Sequence, residues 1–96
     1  MTKQPRYTQE QYTASLDKRL KQYLEITLGV SMEHYAQGDK SRAFCTFMQA
    51  QGIARVMYFE TDAQNQLGVY IDKKAKQYNI CAASYMNTML DIKNNI

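Results

Sequence analysis

The chain has no tryptophan, one proline, one histidine, two cysteines and four glycines in 96 residues. Each scarcity removes a possibility. So few prolines and glycines argue against disorder over most of the length. A lone histidine, His34, rules out a histidine metal cluster and any pair of histidine acid–base groups. Cys45 and Cys81 lie far apart among apolar neighbours without metal-type spacing, and read as reduced, part-buried thiols of a cytoplasmic protein. Either could pair with His34 as nucleophile and base, but a thiolate on a mostly apolar helical segment is costly. No run approaches the roughly 18 apolar residues of a membrane span. The opening "MTKQPRYTQEQYT" lacks the apolar core of a secretory signal. The carboxylates are scattered, and no glycine-rich phosphate loop follows a strand. No enzyme, cofactor, metal, membrane or small-molecule substrate is expected.

What remains fits one domain, since a chain this short cannot divide its apolar residues between two stable cores. The net charge of +3 is mildly basic, which permits nucleic acid or an acidic partner without requiring either. The basic residues come in small groups: Lys18, Arg19 and Lys21; Lys40 and Arg42; Lys73, Lys74 and Lys76.

Thr8 with Gln11 forms a capping-box pair, after a disordered arm over 1–7. Tyr12, Leu16, Leu20, Tyr23, Leu24 and Leu28 then recur at helical spacing opposite Asp17, Lys18, Lys21, Gln22 and Glu25. Gly29 stops this helix, Ser31 caps a short second one, "MEHYAQ", and Gly38 ends it. Asp39 or Ser41 caps a third, with Ala43, Phe44, Phe47, Met48 and Gln51 on one side, and Gly52 ends that. "IARVMYFE" is rich in β-branched and aromatic residues, and Leu67, Val69 and Ile71 alternate, so 53–72 reads as a β-hairpin. A last helix runs from about Lys74 to Lys93, with Asp72 as a plausible cap, and its "KNNI" tail frays. The expected fold is α+β: three N-terminal helices, a β-hairpin wing and a long C-terminal helix, in the order α-α-α-β-β-α.

That order resembles the winged helix-turn-helix family of DNA-binding domains. The likeness rests on "YLEITLGVSMEHYAQ" (23–37), which is similar to the helix–turn–helix step, and on "FMQAQGIARVMYFETDAQNQLGVYID" (47–72), which is similar to a recognition-helix end and a wing. Residues 31–37 are too few to cross a major groove, so 40–51 is taken as the recognition helix. The resemblance makes 8–72 a winged-helix-like core. On its third helix Arg42, Thr46 and Gln49 would read base edges, while Lys40 and Ser41 would meet phosphates. Lys73 and Lys74 join them as nucleic-acid contacts. The wing tip departs from the pattern, carrying Asp62 and no basic residue, and so modest a net charge predicts few phosphate contacts.

Tyr58 and Tyr70 could share a hairpin face and stack on single-stranded bases, whereas Tyr12, Tyr23, Tyr78 and Tyr85 fall in line with apolar residues and mark a core or an interface. Along the last helix Ile71, Ala75, Tyr78, Ala82, Tyr85, Met89, Ile92 and Ile96 recur in alternating steps of four and three, the spacing of a coiled-coil seam. With Met86 alongside, the belt is wider than one core contact needs. Residues 73–96 are therefore expected to make a homodimer through Tyr78, Ala82, Tyr85, Met86, Met89 and Ile92. Two functions fit. One is a small dimeric regulator binding double-stranded DNA. The other is a protein-binding inhibitor or accessory factor of the phage or mobile-element type, blocking a host complex. An apolar patch left open beyond any dimer contact would favour the second.

Overall fold

The structure, a computed structural model, describes residues 8–96. The arm expected over 1–7 lies outside the described residues. The capping box is present: Gln11 N–H donates to the Thr8 hydroxyl at 3.1 Å, and Thr8 N–H to Gln11 Oε1 at 3.0 Å. Helix α1 (Gln9–Ala36) then runs straight through Gly29 and takes in the segment expected as a second helix. Ser31, expected as a cap, lies fully buried inside it and donates its hydroxyl to the Ala43 carbonyl at 2.7 Å. The stop comes at Gly38, whose φ of 84° needs no side chain. Asp39 caps α2 (Lys40–Gln77) by accepting from Arg42 N–H at 3.1 Å. A turn with Asn79 at φ 54° leads into α3 (Ala82–Asn94).

The expected wing is absent, and the fold is all-α among the described residues. Residues 53–72 are helical on both sides of Phe59 and form no strand. This segment carries two periods at once. The alternating set needs Val69 inside, but Val69 is 62% exposed. The helical set, Ala63, Leu67, Tyr70, Ile71 and Ala75, is buried. Strand preference mostly records how a side chain packs on a pleated surface, and a lone two-stranded ribbon is marginal in water. Gly52 does not end its helix either. A glycine there costs only about 1 kcal/mol relative to alanine, less than the packing around it supplies.

α2 is not straight. Phe59, at φ 59° and ψ 161°, breaks it into arms over 40–58 and 60–77. The arms fold back on each other: the Tyr58 and Tyr70 hydroxyls come within 3.3 Å, although twelve residues of unbroken helix would put their backbones about 18 Å apart. The two tyrosines therefore meet each other across a helical reversal and form no hairpin stacking face.

The core sits where the second half of α1 meets both arms and α3. Leu24, Leu28 and Met32 pack with Ala43, Phe47, Ala50 and Ala54, then Leu67, Ile71 and Ala75, and finally Tyr85 and Met89. The Tyr85 ring stands edge-on to Tyr35 at 5.3 Å and to Phe47 at 5.9 Å between centroids. Its hydroxyl bonds to Ser31. Because Ser31 spends its one proton on the Ala43 carbonyl, Tyr85 is the donor. The helix expected over 74–93 is split at the Asn79 turn, so the seam from Ile71 to Ile96 is folded in two.

Burial pushes the Tyr85 phenol up to about 12 from its ordinary 10. Between those values the unfolded chain has lost a proton that the folded chain keeps. Stability from this source is therefore whole below pH 10 and falls as pH rises towards 12, by roughly 2 kcal/mol. Urea midpoints near pH 9 and near pH 11.5 should differ accordingly, and Tyr85→Phe should shrink the difference. At the reversal, Phe59→Gly should raise stability by about 1 kcal/mol, because the left-handed backbone there strains any side chain. Thermal unfolding measures it, and the midpoint should move up by several degrees.

Candidate functional site

The apolar residues of α1 form two rows. Leu20, Leu24, Leu28, Met32 and Tyr35 face the bundle, half or fully buried. Tyr12, Leu16, Tyr23, Ile26 and Val30 lie about 120° away around the helix. They are 60%, 43%, 62%, 63% and 38% exposed. Arg19 stands in the same line, which makes the steps from 12 to 30 alternate four, three, four, three, four. Two shallow depressions meet at Arg19. One is lined by Tyr12, Ser15 and Leu16, the other by Gln22, Tyr23 and Ile26, with volumes of roughly 140 and 410 Å³.

Among the described residues the first half of α1 has little tertiary cover, every residue from Thr8 to Arg19 being exposed. Scattered surface apolar side chains are ordinary, but a contiguous row along one helix marks a contact surface. The sequence pattern groups Tyr12, Leu16 and Tyr23 with the inner leucines, passes over Ile26, and reads Val30 only as the apolar residue after the Gly29 stop. The alternating spacing was the signal that could have separated them.

The residues expected to read DNA are scattered differently. Lys40, Ser41, Arg42 and Gln49 are exposed on the first arm of α2. The Arg42 guanidinium pairs with Asp39 at 3.4 Å, so the base reader is engaged with the cap of its own helix. Thr46 is half-buried and donates to the Arg42 carbonyl at 2.8 Å. Exposed Met48 and Val56 lie on the same arm. Lys73 bonds to Glu25 at 3.4 Å and Lys74 to Gln77 at 3.1 Å.

Among the expected dimer contacts, Tyr85 and Met89 are fully covered by the chain's own helices. Ala82, Met86 and Ile92 are half-buried against the same core, and Tyr78 is at the edge, 37% exposed. Cys45 and Cys81 are exposed, not part-buried. They fall outside the core because Phe47 and Tyr85, not their neighbours, point into it. A cleft of roughly 250 Å³ at the reversal is lined by Gln51, Arg55, Glu60, Ala63, Gln64 and Leu67. Among the described residues no three of histidine, cysteine, aspartate and glutamate are grouped to hold a metal, and no helix is long and apolar enough to cross a membrane.

The Arg42–Asp39 contact predicts an unequal pair of effects. Asp39→Ala removes a helix cap and should cost about 1 kcal/mol, whereas Arg42→Ala breaks an exposed ion pair and should cost under about 0.5 kcal/mol. Urea titration of the two variants measures both. Comparison with protein-family models, curated proteins and solved structures finds no match to this chain.

Proposed function

We propose that the chain is a protein-binding module that docks through the outer face of α1. One observation carries the reading: a row of exposed apolar side chains on a helix whose first half has little cover among the described residues. A partner helix laid along it would dock in the depressions on either side of Arg19. The gain is concentrated in Tyr12, Tyr23 and Ile26, which have the most area left to bury. Full burial of such a side chain stabilises by about 1.5–3 kcal/mol, and tyrosines are common anchors of this kind. Arg19 between them sets orientation, since a cation in an apolar seam must be met by a ring or a carboxylate. A cytoplasmic setting suits two exposed thiols, which stay reduced there.

The DNA-reading alternative has less to support it. The wing is helix, and the charges of Arg42 and Lys73 are each partnered by a carboxylate. A photoreactive residue placed at Tyr23 or Ile26 in cells should cross-link to protein, while one at the exposed Gln37 or Asn87 should not. Equal labelling from all positions overturns the reading. So does a salt-dependent shift of duplex DNA that Arg42→Ala abolishes.

A further inference from the structure

We infer that the occupant of the outer face is a second copy of the chain, its α1 laid antiparallel about a two-fold axis that crosses the seam between Arg19 and Tyr23. This rests on the reading of that face as a protein-docking surface, and adds the identity of the partner.

The register is self-complementary. Reversing a second α1 about that axis sets Tyr12 against the partner copy's position 30, Leu16 against 26 and Arg19 against 23. Apolar thus meets apolar at both ends, and each step-of-four position faces a step-of-three position, as antiparallel helix seams require. Charge decides the orientation. A parallel pair would stack Arg19 on its own copy, one guanidinium against another in a drying seam. The antiparallel pair lays each Arg19 over a Tyr23 ring, an attractive cation–π contact. The positions that flank the seam, Thr13, Ser15, Gln22 and Thr27, carry no charge. The flanking positions therefore bring no like charges together, and the two Arg19 side chains lie on opposite sides of the axis, about 6 Å apart along the seam, each over a ring. Asp17, Lys18, Lys21 and Glu25 all lie away from it around the helix.

The uncovered half of α1 points to the same occupant. Residues 9–19 prolong a packed helix and, among the described residues, are exposed throughout. In the two-fold pair, each bare half rests on the bundle-backed half of the other copy, where Tyr23, Ile26 and Val30 are held in place by the core behind them. Each copy supplies cover for the other. The two-fold pairing runs the contact over the full length of about 27 Å from Tyr12 to Val30, where a one-ended contact would use only half of it.

Sedimentation of the purified full-length chain at micromolar concentration tests this. The chain should run as a dimer, and Leu16→Glu and Ile26→Glu should each weaken self-association by about a hundredfold or more, with Arg19→Glu weakening it about tenfold. All three side chains are exposed in the single copy, so circular dichroism should still show the folded bundle. Orientation is read by disulfide trapping in a background of Cys45→Ser and Cys81→Ser. Leu16→Cys mixed with Ile26→Cys should cross-link, and Leu16→Cys alone should not. A monomer at high concentration overturns the inference, as does a dimer indifferent to Leu16→Glu or a Leu16→Cys dimer trapped with itself. If the chain is a monomer but the photoreactive residue at Ile26 captures another protein, the docking face stands and only the twin-copy occupant falls. If both fail, both readings fall.

Discussion

One buried chain of hydrogen bonds decides where everything else goes. Tyr85 on α3 donates to Ser31 inside α1, and Ser31 donates to the Ala43 carbonyl at the start of α2. A serine within a helix ordinarily returns its proton to its own preceding turn; here it crosses to the next helix. All three helices are thereby tied at one end, with Tyr35 and Phe47 closing around the Tyr85 ring. The arrangement tolerates little change, because a buried hydroxyl left without its partner costs about 1–3 kcal/mol. Pinning that end also fixes what is left over. α1 is longer than the bundle that grips it, so its first half extends past the last residue the core can cover.

The left-handed turns complete the same geometry. Gly38, Phe59 and Asn79 each reverse the chain with a positive φ. The reversals at Phe59 and Asn79 bring the second arm of α2 and then α3 back onto the inner row of α1 and the alanine-rich face of the first arm. Small residues there, Ala43, Ala50 and Ala54, let the backbones approach. A chain of this size has only enough helix to cover one side of α1. The outer row is the consequence: apolar, aligned, and left exposed by the elements among the described residues.

Much of the local grammar could be read from the residues, and much of the tertiary arrangement could not. The Thr8–Gln11 box, the Gly38 stop and the Asp39 cap are decided by side chains within three or four positions, and they stand as read. Gly29 and Gly52 look like the same kind of stop, yet both lie inside helices. A glycine costs a helix little when the residues on either side are being buried. The 53–72 stretch held an alternating pattern and a helical one together, and only packing chose between them. Nothing in the sequence marks Phe59 for a left-handed backbone, and so the fold-back of α2 was invisible. The seam from Ile71 to Ile96 has coiled-coil spacing, but the Asn79 turn folds it onto itself. Its centre at Tyr85 and Met89 is then consumed by the chain's own core. A periodic stripe says that something must cover it. It does not say whether the cover comes from the same chain.

The α1 stripe poses that question again with a different answer, and Arg19 is the reason it is selective. Five apolar residues in a row would accept many helical partners with similar affinity. One arginine at the midpoint weakens every pairing that leaves it against hydrocarbon or another cation, and preserves those that offer a ring or a carboxylate at that register. A polar residue in a seam costs stability and gains specificity in this way. Selectivity on the proposed docking face would thus come from one charge set among apolar side chains.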